Sequence, residues 1–129
     1  MPFSKRVNLG TIQKVDRAKK LVARFYESAT GRKPVREWLL QLSAEDRHTI
    51  GKDIQKVEYG WPIGRPNCAP LGEGLWEVRS DLEGHRIARV VFMIHDGEMI
   101  LLHGFLKKTQ AVPKQDLVLS LKRKKEVTG

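Results

Sequence analysis

A single cysteine, Cys68, in 129 residues excludes an internal disulfide framework and suits a reducing, cytoplasmic setting. No apolar run approaches the roughly 20 residues that a membrane helix requires. The first residues lack the apolar centre of a secretory signal, so none is expected. The chain has no Gly-rich phosphate loop, no serine nucleophile elbow and no dinucleotide fingerprint. No His, Cys, Asp and Glu set has metal-ligand spacing, so neither a metal nor an organic cofactor is expected. No carboxylate pair stands out for general acid–base work. Aromatics are few: three Trp, two Tyr and four Phe. Most fall at apolar-periodic positions, which suit a core better than a base-stacking platform. Cys68 itself lies in the loop-like "RPNCAP" and reads as an ordinary loop residue.

What the chain has in excess is positive charge: net +9, with a pI of about 9.9. The excess is uneven. Residues 1–24 hold seven Lys or Arg against one Asp, and residues 107–125 again seven against one. Two basic ends around a near-neutral middle suggest an anionic partner, nucleic acid first. An anionic membrane surface fits less well, because neither end pairs its charge with a wide apolar face. The bland alternative is a set of solvated surface lysines.

The length suits one compact domain. Residues 1–18 show no apolar period and read as a basic arm; residues 19–126 read as the single domain. "KKLVARFYES" reads as a strand. Pro34 then opens a helix that carries Val35, Trp38, Leu39 and Leu42 at helical spacing. Ser43 caps a second helix to about Tyr59, with Ile50, Ile54 and Val57 as its buried stripe. "GWPIGRPNCAPLGEG" reads as a connector. Strands follow at about Leu75–Ser80, Arg86–His95 and Met99–Leu106, and Pro113 opens a last helix to about Lys124. The expected fold is α+β: a mostly antiparallel sheet of about four strands, an N-terminal helical hairpin and a C-terminal helix.

Asp96-Gly97 is the strongest turn signal and calls for a two-residue hairpin loop. Counting outward, His95 pairs with Glu98, Val91 with Leu102, Arg89 with Gly104 and Arg86 with Lys107. Arg89 beside a glycine would have open space above it. The preceding hairpin leaves two registers: Glu77 opposite Arg89, with Arg79 on that face, or Arg79 opposite Arg86. In both, arginines converge from neighbouring strands. They repel unless an anion visits them or a carboxylate sits between them. Glu77 would serve as that carboxylate in a structural salt bridge. A phosphate-binding surface is the sharper reading, because guanidinium donates paired hydrogen bonds to phosphate oxygens. His103, on the last strand, is either a satisfied core histidine or part of that surface.

The segments "PLGEGLWEVR", "RIARVVF", "LLHGFLKKTQ" and "VPKQDLVLSLKRKKE" resemble the HigB-like branch of the RelE/ParE toxin superfamily, small toxins of bacterial and phage toxin–antitoxin pairs. The resemblance runs from about Leu21 to Glu126, and "LLHGFLKKT" followed by Pro is its most specific part. It implies a RelE-like fold and an mRNA interferase that inhibits translation and arrests growth. Such a toxin cuts mRNA on the ribosome without metal, using the RNA's own 2′-OH and leaving a 2′,3′-cyclic phosphate. Implied catalytic positions are Arg89 in "RVVF", Arg79 in "EVR", and Lys107 and Lys108 in "FLKKT". Relatives often place a Tyr or His near the C-terminus for proton transfer. Residues 111–129 hold neither, so the resemblance implies either that His103 or a lysine substitutes or that the activity is weak. Arg86, Lys114, Lys122, Arg123, Lys124 and Lys125 are the expected RNA-phosphate contacts. The implied partners are the ribosome, mRNA and a helix-turn-helix antitoxin. A gyrase poison and a non-catalytic RNA-binding module are the alternatives.

Overall fold

The computed structural model describes residues 18–107 and 111–129. The basic arm, Ala18 apart, and Lys108 lie outside the described residues. Five strands and three helices are described: β1 (Val22–Phe25), α1 (Pro34–Gln41), α2 (Ala44–Gly60), β2 (Cys68–Gly72), β3 (Leu75–Leu82), β4 (Arg86–His95), β5 (Glu98–Lys107) and α3 (Lys114–Thr128). They form one sheet in the order β1-β5-β4-β3-β2, antiparallel except where β1 runs parallel to β5. The expected α+β class holds, with one more strand than expected.

The extra strand is β2, inside the Pro- and Gly-rich "connector". Pro70 and Gly72 disguise it. Both suit an edge strand, where a missing ladder donor is tolerated and a bulge ends the pairing. β2 is an edge strand of the sheet, opposite the β1 edge, and its register shifts between Pro70 and Gly72.

The helices form where the local chemistry directs. Pro34 occupies the first turn of α1. At α2, Ser43 accepts a hydrogen bond from the Asp46 backbone N–H at 3.1 Å. Ile50, Ile54 and Val57 are the buried stripe of α2, as its spacing predicts. Glu58, near the end of α2, is buried and holds β1: its carboxylate accepts from Ala23 N–H at 2.7 Å and from Lys19 Nζ at 3.1 Å.

Each sheet face has its own core. One face packs Val78, Ala88, Val90, Phe92, Met99 and Leu101 against α1 and α2 through residues such as Val35, Ile54 and Val57. The other packs Leu75, Val91, Met93, Ile100 and Leu102 beneath Leu117, Leu121 and Val127 of α3.

Asp96 (φ 51°) and Gly97 (φ 76°) both adopt the left-handed region that a type I′ turn requires, and His95 pairs with Glu98. The simple outward count then fails. A β-bulge between Val91 and Phe92 gives β5 an extra residue, Leu102, and moves every later pair by one. Val91 therefore faces His103, Arg89 faces Phe105, and Lys107 faces Ile87, not Arg86. The Leu102 carbonyl accepts from Arg123 Nη1 at 2.8 Å, which ties the bulge to α3.

Gly104 consequently pairs with Val90 on the helical-hairpin face, away from Arg89. The space above it is filled by the Trp38 indole. A Cβ at Gly104 would lie 2.4 Å from Trp38 Cε3, so the glycine admits the ring. The preceding hairpin takes neither expected register. β3 continues to Leu82, and Arg79 lies directly opposite Arg89.

Candidate nucleic-acid interface

Paired residues share a sheet face. Arg79, Arg89 and Phe105 form one row across β3, β4 and β5, on the face that α3 partly covers. Glu77 and His103 flank that row two residues along, opposite Val91. The first turn of α3 reaches the sheet at His103, through Asp116. Its later turns cross toward Leu75 and Gly74, where the Lys124 chain rests. The Arg79 row thus lies beyond the helix's N-terminal end.

The two arginines of the row differ in what surrounds them. Arg89 is 3% exposed, and its Nη1 donates to both oxygens of the buried Glu77, at 2.7 and 2.9 Å. This is the salt bridge that the sequence offered as the alternative to a phosphate clamp. Arg79 is half-buried, its backbone N–H donates to Asn67 O at 2.7 Å, and among the described residues no carboxylate pairs with its side chain. A cation held in register beside a neutralised ion pair keeps its charge available to an anion.

His103 is held on two sides. Its Nε2 lies 2.6 Å from Asp116 Oδ1, each side chain about 15% exposed. Its ring stacks on Phe105, with centroids 5.3 Å apart and planes 25° from parallel.

The structure does not bring Arg86 to this row. It starts β4 on the opposite face and grips Asp46 at the N-terminus of α2, with Nη1–Oδ2 2.7 Å and Nη2–Oδ1 3.0 Å. The bond to Arg86 holds the Asp46 carboxyl below its ordinary range and the guanidinium above its own. Of the basic residues on α3, Lys114, Lys122 and Lys125 are exposed and Lys124 is half-buried. Arg123 is occupied by the Leu102 carbonyl and lies 5.5 Å from the Tyr26 ring centre; burial lowers its pKa. Lys107 pairs with Ile87 at the end of β5. Cys68 is buried, and burial with Glu77 nearby pushes its thiol up to about 11, the opposite of what a nucleophile needs.

Sequence reading missed Asp116. An acidic residue in the first turn of a helix is accounted for by the macrodipole, and that ordinary explanation hides its second partner. It lies 13 residues beyond His103 in the chain, so no local motif joins the two.

A small α+β protein with a mostly antiparallel sheet, a helical pair on one face and a C-terminal helix on the other is consistent with a RelE-like fold. The chain belongs to the phage-derived Gp49-like family (DUF891), whose model matches residues 37–125. That family is associated with toxin–antitoxin pairs and is of the RelE/HigB-like kind. The match starts within α1, so β1 precedes it, while the whole Arg79 row and His103 fall inside it. Comparison with curated proteins gives no significant match.

Proposed function

We propose that this protein is the toxin of a type II toxin–antitoxin pair and a ribosome-dependent mRNA endoribonuclease. Arg79 is the observation that carries the reading. It is a strand-anchored cation without a carboxylate partner among the described residues, on the same face as a half-buried histidine. Strand spacing puts the Arg79 and His103 Cα atoms roughly 12 Å apart. A guanidinium and an imidazole reaching inward from those positions have room for one phosphodiester between them.

In the proposed reaction the RNA 2′-OH gives its proton to His103 and the 2′-oxygen bonds to phosphorus. The P–O5′ bond breaks, and the departing O5′ takes a proton from water. The products are a 2′,3′-cyclic phosphate and a 5′-OH. Arg79 stabilises the charge that builds on the equatorial oxygens. The buried Arg89–Glu77 pair fixes β3 against β4 and thereby aims Arg79. Lys107 and Lys108 stay in the proposal on the family resemblance of "FLKKT" alone, as further basic residues for the RNA. The exposed Lys114, Lys122 and Lys125, with Lys124, contact ribosomal RNA phosphates. A helix-turn-helix antitoxin is the expected partner.

Expression without a partner should halt protein synthesis while DNA synthesis continues, and mRNA should be cut. Pulse-labelling of both, with primer extension on a reporter message, checks this. DNA synthesis stopping first over intact mRNA would replace the nuclease with a gyrase poison.

A further inference from the structure

The geometry points to Asp116 as the positioning residue that fixes which nitrogen of His103 handles the proton, an inference that rests on the nuclease reading above. A carboxylate can only accept. With Asp116 Oδ1 2.6 Å from His103 Nε2, the ring proton of neutral His103 resides on Nε2. Nδ1 is then the acceptor that takes the proton of the 2′-OH. Once Nδ1 is protonated, the adjacent carboxylate stabilises the imidazolium, and Nδ1 returns the proton to water as the cycle closes.

The ring has little freedom to choose otherwise. Phe105 stacks on its face, so rotation about the side chain is restricted while Asp116 grips it at the edge. Asp116 is in turn set by α3. Its backbone N–H donates to Pro113 O at 3.0 Å, and its carbonyl accepts from the buried Ser120 hydroxyl at 2.8 Å. The first helical turn also favours a carboxylate through the macrodipole. Among the described residues, Glu77, Arg79 and Arg89 share this sheet face with His103, and Asp116 is the charged group in hydrogen-bond contact with the imidazole.

The test pairs imidazole ¹⁵N–¹H spectra of the full chain with cleavage on programmed ribosomes. His103→Gln assigns the His103 signals. Wild-type protein should show the Nε2–H tautomer. In Asp116→Asn the amide can turn its NH₂ toward Nε2 and move the proton to Nδ1. That variant should lose about 100-fold or more in kcat while KM stays within about threefold. Asp116→Glu should keep the Nε2–H tautomer and recover about tenfold over the Asn variant, and it supplies the reading if the amide variant melts. Adding Asp116→Asn to His103→Gln should cost nothing more. A wild-type Nδ1–H tautomer overturns the inference. So does full kcat in Asp116→Asn when the wild type is active, and that result leaves the nuclease reading standing. Wild-type protein that leaves RNA intact removes both together.

Discussion

At the scale of single residues, the two arginines of one row differ in their surroundings, and the proposed function gives them separate roles. Arg89 and Glu77 are a buried pair, with side chains 4% and 8% exposed. Breaking such a pair from either side costs about 3–5 kcal/mol. Arg89→Gln and Glu77→Gln should therefore lower the melting temperature by comparable amounts. Arg79→Gln should leave it within a degree or two yet cut the cleavage rate roughly a hundred- to a thousand-fold, the usual loss for one oriented charge donor. Thermal melts beside cleavage rates distinguish the pair; equal stability losses for Arg79→Gln and Arg89→Gln would dissolve the distinction. Gly104 is a third residue with a sharp expectation. Gly104→Ala drives a methyl into the Trp38 ring, so it should destabilise by about 1–3 kcal/mol, the usual range for overpacking. Urea titration checks it, and Trp38→Leu in the same chain should recover part of the loss.

At the scale of elements, Arg86 belongs to the fold. Its bidentate grip on Asp46 clips the start of β4 to the N-terminus of α2. Arg86 holds the folded Asp46 carboxyl below its unfolded value near 3.8. The clip thus contributes fully above that value and disappears as pH falls through the lower, folded one. Arg86→Gln should melt earlier than wild type at neutral pH, and the gap should close as the solution is acidified below about pH 4. Calorimetry from pH 7 to 3 measures it; a gap that widened in acid would contradict the assignment.

The elements also show what a sequence can disclose. The helix starts at Pro34 and Ser43, the Asp96-Gly97 turn and the span of β4 follow from local chemistry and were legible. The Val91/Phe92 bulge was not, because Leu102 is apolar and fits the alternation either way. That one inserted residue sent Gly104 under Trp38 and set Arg89 beside Phe105. β2 hid behind Pro70 and Gly72. Glu77 was visible as a partner for Arg89, but choosing between salt bridge and phosphate clamp needed the real register. Asp116 required knowing where α3 lands on the sheet.

At the scale of the whole molecule, the described residues present Arg79 on the sheet face beyond α3's first turn and exposed lysines along α3 itself. Among the described residues no helix is long and apolar enough to cross a membrane. Lys114, Lys122 and Lys125 are exposed, so neutralising all three should weaken ribosome binding and flatten its salt dependence, by roughly one unit of slope for each phosphate no longer neutralised. Filter binding across a salt series reads this directly, and an unchanged slope would make them a solvated face. Whether this face cuts RNA through the 2′-OH is decided most directly by end analysis of mRNA cut on programmed ribosomes, with wild-type protein beside Arg79→Gln. The wild type should leave 2′,3′-cyclic phosphate and 5′-OH ends, and a folded Arg79→Gln almost none. Intact message with wild-type protein, or fragments ending in 3′-OH and 5′-phosphate, would contradict the 2′-OH mechanism.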